Sequence, residues 1–392
     1  MSSDAFQPLH AALQAQVRDG FLPGVSTALL RGREVVDRFV CGQADIETNT
    51  PLREDHLFRV FSNTKLVTSC AVLLLVEQGR LGLDDPIERY LPELGQRQVL
   101  RPGATRIDEV EPARRPITVR HLMTHTAGLS YGLFNPGTLL NDAYRQASVH
   151  RPTLSNAQLV TELAQLPLAF HPGEQWEYSL ATDVLGRLIE VVSGDSLGHF
   201  FSRYMFEPLD MADTAFRLSD EQFGRLAGLY VGMDRTDPTV PGLKRLHDVP
   251  YPGAYRTPDM REGGGGGLIS SLGDMVRLIQ ALMPGGPGLL KPHTLADMGR
   301  NQLPPGVCVR FPDVPLNPGR VFGLGSAVLA RPGPLDPPVA EGEVNWGGMA
   351  GTVWWINPRL NIAGVLMTQR YWGSGDPYAL EFKRLAYQGL GH

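Results

Sequence analysis

A chain of 392 residues, 42% apolar and 20% charged, can bury a sizeable core as one large domain or two interleaved ones. A formal net charge of −5 and the lack of any Lys/Arg run exclude a nucleic-acid footprint. Three scattered cysteines, Cys41, Cys70 and Cys308, fit a reducing cytoplasm and argue against a disulfide framework or a zinc cluster.

The chain opens on an amphipathic helix over residues 5–19 with no export-signal pattern, so a cytoplasmic location is expected. Two strand-like runs follow, GVSTALLRG and EVVDRFVCGQAD, split by a turn at Arg31-Gly32-Arg33. Residues 62–79, SNTKLVTSCAVLLLVEQG, carry a strongly apolar helical pattern that stops at Gly79. The longest apolar run, CAVLLLVEQG, is too short to span a bilayer, so no membrane partner is expected.

From about 84 to 262 the sequence reads as helical segments and Pro/Gly-rich loops, with the clearest helical period at 157–166, 181–193 and 195–206. A five-glycine run then leads into a helix near 271–283. The C-terminal part returns to strands, VFGLGSAVLA, EVNWGG, GTVWWINP and NIAGVLMTQ, with a turn at Asn357-Pro358 and a closing helix over roughly 376–388. Strands at both ends with helices between predict an α+β fold. Residues 1–83 and 263–392 would form an antiparallel sheet flanked by terminal helices, and residues 84–262 an inserted, mainly helical domain.

Two stretches match the G-x-S-x-G nucleophile elbow, around Ser130 and around Ser196. An elbow needs an apolar strand before the serine and a helix after it. Ser130 instead follows a short helix, TVRHLMTH, capped by Thr118, and precedes the turn FNPG. Ser196 follows a helix that ends at Gly194, where Asp195 or Ser196 is placed to cap the next one. With 44 glycines in the chain a serine gains this pattern by chance about one time in 80. Both matches read as decoys.

Ser62-Asn63-Thr64-Lys65 is a different matter. Only four of the 36 basic residues are lysine (Lys65, Lys244, Lys291 and Lys383), so a lysine here invites a reason. Positions i and i+3 share a helix face, which lets the hydroxyl and the amine meet. A serine needs an adjacent base, and lysine can serve if burial and nearby positive charge lower its pKa from about 10.4 towards 7–8. Arginine cannot, because it keeps its proton. The helix N-terminus adds N–H groups and a positive dipole end for a developing oxyanion. On this motif alone, Ser62 could equally be a helix cap and Lys65 a snorkelling side chain.

Further stretches add weight: HTAGL at 125–129, Tyr178 just before a helix in HPGEQWEYSLATDVLGRLIE, GGGGLISS, and NWGGMAGTVWW on a C-terminal strand pair. In this order the chain resembles the serine β-lactamase-like superfamily over residues 10 to 385. That group holds class C β-lactamases, D-alanyl-D-alanine carboxypeptidases and, the nearest match, family VIII carboxylesterases. The resemblance implies a β-lactamase/transpeptidase-like fold and a cofactor-free serine esterase working through an acyl-enzyme on short-chain esters. It further implies Ser62 as nucleophile, Lys65 as its proton relay and Tyr178 as acid and base with Lys65. The backbone N–H groups of Ser62 and Met349 would form the oxyanion hole. Family VIII esterases also carry a non-catalytic G-x-S-x-G, in keeping with Ser130 as a decoy.

Two departures from the lactam-binding relatives bear on substrate. Their Y-x-N is here Tyr178-Ser179-Leu180, and their K-T-G cation is replaced by Trp346, followed by Gly347 and Gly348. A neutral indole lines an apolar pocket but cannot pair with a carboxylate, which favours a small, uncharged ester as substrate. Tyr131, Phe134, Trp354 and Trp372 are candidates for an acyl pocket, although such aromatics also serve as core. His125 reads as a structural hydrogen-bonding residue rather than a base. No H-E-x-x-H or comparable cluster suggests a metal, and no G-K-[ST] follows the glycine run, which reads as close backbone packing rather than a phosphate cradle.

Other readings of the same fold are a β-lactamase, a D-amino-acid amidase or peptidase, and an acyltransferase to an alcohol. A non-enzymatic binding protein of this fold should have lost Ser62, Lys65 or Tyr178, and all three are present. An α/β-hydrolase would need a strand before Ser130 and a well-set late histidine; His293 and His392 offer none. The sequence sets no oligomeric state.

Overall fold

The computed structural model describes residues 3–392 apart from 236, 248, 252, 287, 313 and 315. Its centre is an antiparallel sheet of eight strands drawn from both ends of the chain. The N-terminal part supplies β1 (Gly24–Arg31), β2 (Glu34–Asp45) and β3 (Thr50–Pro51). The C-terminal part supplies β4 (Arg320–Phe322), β5 (Ala327–Leu329), β6 (Glu343–Gly347), β7 (Val353–Asn357) and β8 (Ile362–Thr368). The order across the sheet is β4-β5-β6-β7-β8-β1-β2-β3, so β1 and β8 join the two chain ends at its middle, with Val25 opposite Thr368 and Arg31 opposite Ile362.

Side chains that alternate along these strands are divided between two cores, as the two-residue strand period requires. Val25, Leu29, Trp355, Ile362 and Leu366 pack outward with Leu9, Leu13, Phe382 and Tyr387 of the terminal helices Gln7–Arg18 and Pro377–Gly389. Ala28, Leu30, Trp354, Ile356, Val365 and Met367 face the other way, into the core that holds the helices Thr64–Glu77 and Leu272–Leu282. Lys383, one of the four lysines, ties the C-terminal helix to β6 by ion pairs with Asp336 at 2.8 Å and Glu343 at 3.2 Å.

The antiparallel sheet and its flanking helices are the α+β arrangement expected from the sequence. Thr64–Glu77 is buried on nearly every side, as a helix apolar all round must be. It is sandwiched between the sheet core and the helix Ala181–Ser193. Each fully buried leucine here contributes roughly 1.5–3 kcal/mol, which fixes the helix that carries the S-x-x-K motif.

Some expectations need correction. VFGLGSAVLA is not one strand: it folds back between β4 and β5, because Gly325 sits at φ +94° and a Cβ there would come within 2.0 Å of Ser69 Oγ. The stretch 84–262 also carries short strands, the hairpin Gln98–Leu100/Val110–Pro112 and the pair Leu229–Gly232/Leu243–Leu246. Among the described residues no helix is long and apolar enough to cross a membrane.

Candidate active site

The two G-x-S-x-G serines hold structural positions. Thr118 caps the helix Val119–Met123 in a capping box with His121. Ser130 follows it, 1% exposed, with its hydroxyl on the Glu177 carboxylate. Ser196 is a helix N-cap that accepts from the His199 N–H.

Ser62 stands in a short 3₁₀ turn, Phe61–Asn63, that opens the buried helix. Phe61 just before it has φ +41°, a region that bulky residues rarely adopt and that tends to collect at functional sites. The short strand Leu57–Arg59, paired with Ile269–Ser271, anchors this turn to the glycine run. The Ser62 side chain caps nothing. Its partner is Tyr178, whose hydroxyl donates to Ser62 Oγ at 2.7 Å.

Lys65 does not snorkel; it is 1% exposed. Its Nζ donates to the Gly265 carbonyl at 2.6 Å and lies 4.8 Å from the Tyr178 ring centre and 5.4 Å from that of Tyr131. Burial alone would lower the Lys65 pKa, but Tyr131, Tyr178 and Asp183 outweigh it and hold it above its ordinary value. Free-base duty would ask for the opposite shift, a lysine tuned down. The groups around this amine are oxygens rather than cations, and at neutral pH it is an ammonium.

The glycine run works as a close-packed strap. Thr68 Oγ1 donates to the Gly264 carbonyl at 2.7 Å, and Thr64 Oγ1 accepts from the Leu268 N–H at 3.1 Å. A Cβ on Gly264 would lie 2.7 Å from the Thr182 carbonyl oxygen, and one on Gly265 would lie 2.2 Å from Asp183 Oδ2. Only glycine lets this backbone thread between the two helices.

Strand β6 ends beside the Ser62 turn. Gly348 packs so closely on Val60 that a Cβ would come within 2.2 Å of its carbonyl oxygen. Asn63 Nδ2 donates to Thr352 Oγ1 at 3.0 Å, which fastens the turn to the segment after β6. Among the described residues neither the Ser62 nor the Met349 N–H donates to another protein group, while the Met349 carbonyl accepts from the Trp372 N–H at 2.7 Å.

Aromatic rings converge on Tyr178. Tyr131 stacks on it at 5.2 Å, Phe134 and Trp346 lie 5.3 Å away, and Phe311 5.6 Å away. Trp372 reaches the same group through Phe134, at 6.1 Å. Trp354 does not belong here: it is 1% exposed, in the core behind β7. Phe311 was not foreseen, because nothing in the sequence marks a lone phenylalanine between Pro-rich segments as a neighbour of Tyr178.

His125 acts as a hydrogen-bonding residue. Its Nδ1 is 3.0 Å from Ser179 Oγ, and its carbonyl accepts from the Glu177 N–H at 3.0 Å, so it grips the chain on both sides of Tyr178. Burial, then the Lys65 charge, keeps its imidazole well below the usual pKa and neutral. A part-buried hydroxyl pair beside an ammonium, next to two undonated N–H groups and an apolar wall, is suited to nucleophilic attack on a carbonyl.

Comparison with known proteins gives the family. The protein family described as Beta-lactamase matches residues 9–388. Esterase EstB of Burkholderia gladioli is 32% identical over 97% of this chain and 94% of its own length. The acyltransferase calJ of Penicillium decumbens is 31% identical over 87% of this chain and 82% of its own. Among solved structures, EstCE1, described as a hydrolase with promiscuous acyltransferase activity, superposes with a TM-score of 0.80 at 27% identity, covering 98% of both chains. A match that runs almost from end to end, on the fold and the motif order seen here, places the chain in the Beta-lactamase family, within the serine β-lactamase-like superfamily and close to the family VIII esterases.

Proposed function

We propose that the protein is a serine carboxylesterase that cleaves small, uncharged esters through an acyl-enzyme on Ser62. The observation that carries this reading is the 2.7 Å contact between Tyr178 and Ser62, with Lys65 buried against the Tyr178 ring. The resting pair, Tyr178 hydroxyl and Lys65 ammonium, holds one proton too many for catalysis. Loss of one proton leaves a Tyr178 phenolate, which the Lys65 ammonium stabilises. The phenolate then takes the Ser62 proton as Oγ bonds to the ester carbon.

The carbonyl oxygen becomes an oxyanion held by the N–H groups of Ser62 and Met349. As the C–O bond to the alcohol breaks, Tyr178 returns the proton to the departing alkoxide. Water repeats the sequence on the acyl-enzyme and frees the acid. Trp346, Tyr131, Phe134 and the Gly347-Gly348 backbone would shape the acyl site. Three unpaired cysteines support a reducing, cytoplasmic setting.

A second reading is acyl transfer to an alcohol in place of water. It is favoured by the similarity to calJ and EstCE1 and by the aromatic wall, which suits an apolar alcohol better than water. The test is a panel of p-nitrophenyl esters run beside nitrocefin and a D-Ala amide, with and without an added alcohol. Ester turnover with fluorophosphonate label on Ser62 is the expected result; label on another serine would overturn the reading.

A further inference from the structure

Asp183 is a buried carboxylate that the mechanism above does not use. It is 3% exposed, in the first turn of the helix Ala181–Ser193. Among the described residues it makes no direct ion pair, and its side chain takes one hydrogen bond, from the Gly265 N–H at 3.2 Å. Placing an uncompensated charge in such a setting is costly, so a nearby counter-charge is needed.

The strap supplies the connection. Gly265 donates its N–H to Asp183 and accepts Lys65 Nζ on its carbonyl at 2.6 Å, so one residue links acid and amine. The room for this is specific, since a Cβ on Gly265 would strike Asp183 Oδ2 at 2.2 Å. The other titratable or charged groups that face Lys65 and Asp183 are Tyr131, Tyr178, His125, His150 and Arg261. Burial raises the Tyr131 pKa and keeps both histidines below their usual values. Asp183 is the carboxylate of the group.

We propose that Asp183 is a positioning residue for Lys65: through the Gly265 strap and its own negative charge it keeps the amine protonated and aimed at Tyr178. The proposal rests on the reading of Ser62, Lys65 and Tyr178 as the catalytic group. It explains why the first proton lost from the pair comes from Tyr178, producing the phenolate that serves as base. Without the anion the Lys65–Tyr178 pair would lose a proton more readily, but from the amine, leaving Tyr178 the weaker base.

The test is Asp183→Asn, which keeps an acceptor for the Gly265 N–H and removes the charge. With p-nitrophenyl butyrate, kcat should fall at least tenfold (about 1.4 kcal/mol) while KM stays within about twofold. The acid limb of kcat/KM should move to lower pH by roughly one unit, the scale of one charge removed from a partly buried neighbour. Asp183→Ser, smaller and equally uncharged, should repeat both changes. An unmoved acid limb, or a loss confined to KM, would overturn the proposal. So would loss of fold in both variants by circular dichroism, which would make Asp183 a fold residue alone. Fluorophosphonate labelling of Ser62 in the wild type separates the two readings. No label there defeats the catalytic assignment, whereas label there with wild-type behaviour in both variants defeats only the role of Asp183.

Discussion

The hydroxyls of Tyr178 and Ser62 lie 2.7 Å apart although 116 residues separate them in the chain. They meet because the Ser62 turn and the start of the helix Ala181–Ser193 are packed on opposite sides of the same glycine strap. Ser62→Ala should therefore abolish ester hydrolysis. Ser130→Ala removes one partner of the half-buried Glu177 and should cost about 0.5–1.5 kcal/mol of stability. Ser196→Ala removes a helix cap, worth about 0.5–2 kcal/mol. Both variants should keep most of their activity, measured with p-nitrophenyl butyrate beside a thermal melt. Loss of turnover in Ser130→Ala with the melt unchanged would count against Ser62.

Lys65 and Tyr178 share one task, so their effects should not multiply. Lys65→Ala and Tyr178→Phe should each lower kcat by about 10² or more. The double variant should lose far less than the product of the two. Because Lys65 is held above its ordinary pKa, it remains charged through the working range. Activity should rise with pH as the pair sheds its first proton, without a fall from amine deprotonation near pH 9. Multiplicative losses, or a fall at that pH, would show that the two residues act separately.

His121 gives a separate pH signature. Burial, reinforced by the Arg115 charge, brings its pKa down to about 4 from 6.5. It must be neutral to accept the Thr118 N–H at 3.2 Å in its capping box. Between these values the unfolded chain binds a proton that the folded one refuses, so this residue makes stability fall as pH drops below about 6.5. His121→Gln keeps the capping box with a residue that does not titrate. Its Tm loss on going from pH 7 to pH 5 should be smaller than that of the wild type by about 2–4 °C. Equal losses in the two proteins would remove His121 from the account.

The sequence carried the frame of the fold and the candidate residues that the fold brings together, and physical distance explains what it left out. The apolar runs of β1, β7 and β8 and the apolar helix after Ser62 are local patterns, readable over a dozen residues. The strands Gln98–Leu100 and Leu229–Gly232 are too short to show any period. S-x-x-K spacing placed an amine near a hydroxyl but could not show that Gly265, Tyr131 and Asp183 surround it with oxygen, which reversed the expected pKa direction. Asp183 had only a weak signal, an acid in the first turn of a helix, which ordinarily serves the helix dipole. Phe311 and Trp372 reach the Tyr178 group through loops, where no periodicity points.

Trp346 bears on substrate class. Its ring lies 5.3 Å from Tyr178 and 5.4 Å from Phe322, where lactam-binding relatives would carry a cation. Ester hydrolysis develops one oxyanion, which the Ser62 and Met349 N–H groups can hold without a cation nearby. A β-lactam brings a carboxylate that must lose water on entry, and beside these rings an uncompensated charge costs at least a few kcal/mol. A loss of about 3 kcal/mol is roughly a hundredfold in kcat/KM. Nitrocefin should therefore be turned over at least a hundredfold less efficiently than p-nitrophenyl butyrate. Trp346→Lys should narrow that gap, by weakening ester turnover, by aiding nitrocefin, or both. If the wild type turned over nitrocefin as well as the butyrate ester, the preference for uncharged substrates would be wrong, even with Ser62, Lys65 and Tyr178 confirmed in their roles.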